Sequence, residues 1–183
     1  MVEQSSGAHN DALIGGIEKV EIRLVDYDAA WSELFEQQAG RIRKALGEVA
    51  LRVEHIGSTS VADLSAKPII DILLVVVNSG DEESYLPNLE QAGYQLRVRE
   101  PGGDEHRMLR TPMRDVHIHV YSIGCGEIER CLVFRDRLRA SVEDRELYAQ
   151  TKRDLAARDW SDTNAYAAAK TSVIEAIIAC GKK

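Results

Sequence analysis

Nine consecutive residues, Ile69-Ile70-Asp71-Ile72-Leu73-Leu74-Val75-Val76-Val77, carry one charge among eight aliphatic side chains. Their number and their β-branched content read as a central strand buried on both faces. The run also poses the chemical question of this chain. A carboxylate inside an apolar strand is costly to bury unless it is paired or holds a metal, so Asp71 is either a structural partner of Lys67 and the Gly57-Ser58 turn or part of a site.

Around this strand the hydrophobic period alternates between two and about 3.6. From Glu18 to Asp26, Val20, Ile22 and Leu24 face away from Lys19, Glu21 and Arg23, as in a half-buried strand. Asp28 is placed to cap a helix with the stripe Trp31, Leu34, Phe35, Ile42, Ala45 and Leu46. A strand from about Leu51 to Ile56 stops at Gly57, and a short helix or turn follows from Ser60 to Leu64. After the central strand the pattern predicts a helix over about Glu82–Ala92 and strands over Tyr94–Arg99, Arg107–Thr111 and Val116–Tyr121. Pro101-Gly102-Gly103-Asp104 is a turn or loop between the first two of these strands. Glu127 to Ala179 reads as helical, in about three segments broken near Ser141 and Ser161. Residues 1–16 are small, polar and aperiodic, as in a flexible tail. The expected fold is α+β: one mixed β-sheet with helices on one face and a C-terminal helical annex, a single domain over 17–183.

Bulk composition narrows the function. The chain has 23 Lys and Arg against 30 Asp and Glu, a formal net charge of −7. General nucleic-acid binding is therefore disfavoured, while a local basic cleft stays compatible. No stretch reaches the roughly 18 apolar residues of a membrane span, and the N-terminus lacks the basic and apolar regions of a secretory signal. Cys125, Cys131 and Cys180 are odd in number and not spaced as a metal knuckle, as free thiols of a reducing cytosol would be. A cytoplasmic protein without a membrane partner is expected.

Four constellations could carry chemistry. In His55-Ile56-Gly57-Ser58-Thr59-Ser60 a strand ends in Gly-Ser and turns at once; this is either an anion site or a capped turn in which Ser58 or Ser60 is an N-cap. Lys67-Pro68-Ile69-Ile70-Asp71 is the second. In Asp115-Val116-His117-Ile118-His119-Val120-Tyr121 the strand period puts Asp115, His117, His119 and Tyr121 on one face. His-X-His suits two ligands of one metal, and two histidines opposite an intrastrand aspartate favour a site over buried structure. Finally, Tyr148 with Lys152 and Tyr166 with Lys170 stand one helical turn apart, as lysines countering a polyphosphate would, or as ordinary exposed lysines. Arg135, Asp136 and Arg139 read first as a solvated helix face.

Glu54 through Val61, Lys67 through Ile72, His117 through Val120, Phe134-Arg135-Asp136, Tyr148 through Lys152 and Tyr166 through Lys170 together resemble the GrpB family of small bacterial proteins. The resemblance covers about residues 17 to 180. It implies a nucleotidyltransferase-like fold, in which a Gly-Ser turn holds triphosphate and carboxylates bind two magnesium ions for in-line displacement. Ile56-Gly57-Ser58 matches the opening of that pattern, and after the twelve residues Thr59 to Ile70 Asp71 matches the first carboxylate. The second position is Leu73, and the third falls on His117 or His119. Losing two carboxylates removes most of the negative charge two hard ions need, and histidines favour a softer ion. By resemblance, then, Gly57, Ser58, Thr59 and Ser60 with His55, Lys67, Arg135, Tyr148, Lys152, Tyr166 and Lys170 bind a nucleotide or another phosphorylated small molecule. Asp71, His117 and His119 act as catalytic groups or hold one divalent ion, Mg²⁺, Mn²⁺ or Zn²⁺. Two alternatives stand beside this transferase. One is a non-catalytic nucleotide- or coenzyme A-binding module assisting a partner, since GrpB-like domains also occur joined to a dephospho-coenzyme A kinase. The other is a two-histidine, one-carboxylate single-metal enzyme. A protein partner or homodimer is left open.

Overall fold

In the computed structural model, which describes residues 12–16, 22–102, 104–160 and 163–181, the apolar run becomes the second strand of a five-stranded sheet. Strands β1 (Arg52–Ile56), β2 (Ile70–Val76), β3 (Gln95–Arg99), β4 (Arg107–Arg110) and β5 (Val116–Ser122) lie in the order β1-β2-β5-β4-β3. β2 and β5 are parallel and the other neighbours antiparallel, so the sheet is mixed and the fold α+β as expected.

Alternation along β2 splits its side chains between two environments. Ile70, Ile72, Leu74 and Val76 enter the main core with Val116, Ile118 and Val120 of β5. That face is covered by helices α1 (Ala30–Leu46) and α2 (Leu86–Gln91). Trp31, Phe35, Ala39, Ile42 and Leu46 recur at helical spacing and form the buried stripe of α1. Leu34, expected in that stripe, is 42% exposed. On the other face Leu73 and Val75 join Ile56 and Tyr121 in a smaller cluster.

The annex comprises α3 (Gly126–Ala140), α4 (Val142–Ala156), α5 (Thr163–Ala168) and α6 (Thr171–Gly181). The break at Ser141 is a cap, its Oγ accepting from Asp144 N at 3.1 Å. Val61 and Leu64, just beyond the Gly57 turn, pack into an annex core with Leu138, Tyr148 and Ile177. This burial fastens the annex to the end of β1. Among the described residues no helix is long and apolar enough to cross a membrane.

Three expectations need correction. The strand foreseen over Glu18–Asp26 does not join the sheet: among its described residues Val25 makes one isolated bridge, to Ala66, and residues 17–21 lie outside the description. Alternation reports a half-buried extended segment but not which backbone it pairs with. The helix expected over Glu82–Ala92 is a 3-10 turn, Glu82–Ser84, followed by α2, with Pro87 in the first turn of the new helix. Of the tail, residues 12–16 run along β3, with Ile14 N donating to Arg97 O and Arg99 N to Ala12 O, each at 2.9 Å. A sheet edge offers hydrogen bonds to any backbone, whatever its composition. Residues 1–11 and Gly103 lie outside the description.

Candidate functional site

The parallel register sets Asp71 beside His117 and Leu73 beside His119. All four project from the sheet face that α1 and α2 leave uncovered. Asp71 Oδ1 stands 3.5 Å from His117 Nδ1 and 3.7 Å from His119 Nε2. One ligand atom from each of the three residues lies within 4.8 Å of the others. The Asp71 side chain is 29% exposed; burial alone would raise its pKa, but the two histidines outweigh it and hold the carboxyl below its usual range.

Gly57, with a φ of 68°, turns the chain from β1 into the 3-10 turn Ser58–Ser60. A Cβ at Gly57 would lie 2.4 Å from Asp71 Oδ2 and 2.9 Å from its Cβ. Only glycine lets the turn close on the carboxylate while keeping that φ.

The annex supplies the opposite wall. Lys152 is 3% exposed; its Nζ donates to Ser58 Oγ at 3.0 Å and to Ser65 O, and sits 4.9 Å from the Tyr148 ring centroid. Burial raises the pKa of the Tyr148 hydroxyl, with the Ser58 side chain opposing the shift. Lys170 Nζ lies 4.5 Å and Lys67 Nζ 5.5 Å from the ring centroid of Tyr166. Tyr166 is 1% exposed, and its hydroxyl has no hydrogen-bond partner among the described residues. These groups enclose a cleft of about 160 Å³ with Asp71 and His117 in its lining.

Burial dominates the electrostatics of this wall. It lowers Lys152 to about 7, helped by the charges of Lys170 and Arg153. It lowers Lys170 to about 8, with Lys67 adding to the shift and Asp71 opposing it. Lys67 is also lowered by burial. Among the described residues none of the three forms an ion pair with a carboxylate. Below pH 7 Lys152 is protonated in both folded and unfolded chains and adds no pH dependence. From about 7 to its unperturbed 10.5 the unfolded chain keeps a proton the folded chain has released. Stability contributed by this group therefore rises with pH, by up to about 1.4 kcal/mol per unit. Urea unfolding between pH 6 and 9.5 should show a stability difference between wild type and Lys152→Met that grows in favour of wild type above pH 7. A difference independent of pH would refute the assignment.

Some expected site residues are held by framework contacts, Thr59 while also lining the cleft. His55 lies on the α1 side of β1, stacked on Phe35 with centroids 4.7 Å apart, and burial lowers its pKa to about 4. Thr59 Oγ1 donates to Ile69 O at 3.0 Å and so accepts from His55 Nε2 at 3.1 Å. Ser60 Oγ donates to Gly57 O at 2.6 Å. Arg135 is buried, pairing with Glu54 at 2.8 Å and Asp136 at 2.7 Å and donating to His55 O at 3.1 Å. It ties α3 to β1 and is not part of the cleft lining. The strand period says that Glu54 and His55 diverge, but not which of them meets the core.

His106 and Glu100 are the groups that sequence reasoning missed. His106 Nε2 is 3.1 Å from His119 Nδ1, and its Nδ1 is 2.9 Å from Glu100 Oε2. A lone histidine at a loop end carries no pattern of its own. The signal lies in the pairing of Arg107 with Val120, because continuing that register by one residue brings position 106 opposite Tyr121.

The family model described as GrpB protein matches residues 21–179. A UPF0157 protein of Halalkalibacterium halodurans is 53% identical over 157 residues, 86% of this chain and 80% of that protein. Over 180 residues a dephospho-CoA kinase of Mycolicibacterium paratuberculosis is 29% identical, covering 84% of this chain and 44% of the kinase. Among solved structures, conserved protein GrpB from Enterococcus faecalis matches with a TM-score of 0.77 at 35% identity, over 87% of this chain and 96% of that one.

Proposed function

The chain belongs to the GrpB family, and we propose that its cleft binds the phosphate chain of a nucleotide and transfers a phosphoryl or nucleotidyl group from it. One observation carries this reading. Lys67, Lys152 and Lys170 converge on the Gly57-Ser58 turn without carboxylate partners, beside Asp71, the one carboxylate among the described residues that line the cleft. Burying ammonium groups in this way is unfavourable unless an anion enters among them. The unpartnered Tyr166 hydroxyl is one more donor for a phosphate oxygen.

Asp71, His117 and His119 fit one divalent cation. Their separations of 3.5 and 3.7 Å exceed hydrogen-bond length. Two ligand atoms about 2.1 Å from one ion at a near-tetrahedral angle stand about 3.4 Å apart. Two imidazoles and one carboxylate suit Mn²⁺ or Zn²⁺ better than Mg²⁺. Such an ion would polarise a phosphoryl oxygen and offset its charge. Leu73, fully buried in an apolar cluster, supplies no ligand for a second ion. In the proposed transfer an acceptor oxygen forms a bond to phosphorus as the bond to the leaving phosphate breaks, and the lysines take up the charge that develops on the leaving group.

Leu73 also favours a second reading, a binding module without turnover. The likeness to part of a dephospho-CoA kinase adds coenzyme A precursors to the ligands to be tried. Thermal unfolding with nucleoside triphosphates or coenzyme A precursors, each with Mn²⁺, Zn²⁺, Mg²⁺ or chelator, separates the readings. A ligand at ~100 times its Kd adds about 2.7 kcal/mol, equivalent to roughly 5–10 °C for a chain of this size. A shift that needs both nucleotide and ion supports the transferase, and an ion-independent shift supports the module. Lys67→Ala/Lys170→Ala should weaken nucleotide binding about tenfold or more, since charge-assisted hydrogen bonds contribute about 1.5–3 kcal/mol each. Absence of a shift with every phosphorylated ligand would remove both readings.

A further inference from the structure

Glu100, His106 and His119 form a hydrogen-bonded chain whose direction is set at one end. A carboxylate can only accept, so His106 Nδ1, 2.9 Å from Glu100 Oε2, carries a proton. The other nitrogen of a neutral imidazole is then an acceptor. His106 Nε2 stands 3.1 Å from His119 Nδ1, which makes His119 the donor in that contact. The two rings are 9° from parallel with centroids 5.3 Å apart, so the bond runs along the ring planes and not face to face. Tyr121 stacks on His106 at 4.8 Å and holds its plane. With its Nδ1 proton committed, neutral His119 has a bare Nε2, and that nitrogen faces Asp71 Oδ1 at 3.7 Å.

We propose that Glu100 and His106 are positioning residues that lock His119 in its Nδ1–H tautomer, presenting Nε2 as an unprotonated ligand atom opposite the Asp71 carboxylate. Which imidazole nitrogen is free to ligate is decided by the hydrogen bond the other one makes. Two acceptors facing each other across 3.7 Å repel unless a cation lies between them. The tautomer follows from the hydrogen-bond chain alone; only its consequence for an ion rests on the function proposed above.

Long-range ¹H–¹⁵N imidazole spectra at pH 8 test the tautomer directly, with the His119 signal assigned through its loss in His119→Asn. The wild type should show His119 protonated at Nδ1. His106→Leu, which cannot accept that proton, should move it to Nε2, whereas His106→Gln, whose Oε1 can accept it, should keep it at Nδ1. In titrations with Zn²⁺ alone, His106→Leu should bind 10- to 100-fold more weakly than wild type and His106→Gln within a few fold of it. An Nε2–H tautomer in the wild type overturns the inference, and because that spectrum needs no variant, a misfolded leucine substitution does not blunt the test. Zn²⁺ affinity equal in wild type and folded His106→Leu also overturns it. The expected tautomers in a protein that binds no Zn²⁺ would uphold the lock on His119 and sink the proposed ion.

Discussion

Gly57→Ala is expected to destabilise the fold by about 2–5 kcal/mol and to abolish the proposed ion and nucleotide binding in whatever fraction stays folded. Two costs add. A residue with a Cβ at a φ of 68° costs about 1–2 kcal/mol, and forcing atoms into an occupied space costs about 1–3 kcal/mol more. The space is occupied by Asp71 itself, with Oδ2 at 2.4 Å, Cβ at 2.9 Å and Cγ at 3.0 Å from the new methyl group. Cβ is bonded to the strand, so rotating the side chain relieves only part of the overlap. Either β1 separates from β2 or the carboxylate turns away from His117 and His119. Domains of this size are stable by about 5–15 kcal/mol, so urea unfolding resolves the loss easily. A change below 1 kcal/mol with wild-type Zn²⁺ affinity would show that the turn does not press on the carboxylate.

Asp71→Asn separates charge from shape. Size and hydrogen-bonding reach are nearly kept, so the variant should fold, while ion affinity falls at least ~100-fold with the loss of the only carboxylate in the donor set. The proposed ion-dependent nucleotide binding and transfer should vanish with it. The acid limb of stability supplies an independent check. The folded-state pKa of Asp71 lies below its usual 3.8 because of His117 and His119, against the opposing effect of burial. Its contribution is therefore present above 3.8 and lost as pH falls below that value. The wild type should lose stability relative to Asp71→Asn as pH drops from 4 towards 2. Unchanged Zn²⁺ affinity in the variant would place the ion elsewhere or nowhere.

Most of the cleft could be read from spacing. A period of two put His117 and His119 on one face, and the lone charge in β2 identified Asp71. Pairs one helical turn apart identified Tyr148 with Lys152 and Tyr166 with Lys170, all four of which line the cleft. Local patterns failed where a choice between two distant partners decided the outcome. By resemblance His55 and Arg135 belong at the ligand, and in the fold their side chains are held by Phe35, Thr59 and Glu54. The contacts that decide their placement, Phe35 with His55 and Glu54 with Arg135, join residues distant along the chain and leave no local pattern. Val25 reads as a strand residue but bridges Ala66 outside the sheet.

Residue types and their near neighbours already require that β2 is interior, that its one carboxylate needs company, and that Gly57 ends the preceding strand. These follow from burial cost and backbone sterics, which depend on residue type and near neighbours. That β5 lies parallel to β2 with Asp71 at the level of His117 comes from the packed sheet, because strand register is set by all its strands together. Packing also brings three lysines from the β1–β2 connection and the annex to one turn, and Glu100 and His106 to His119 from the β3–β4 hairpin. Such meetings depend on how layers pack over tens of residues, and the strand and helix periods that reveal each element do not encode them.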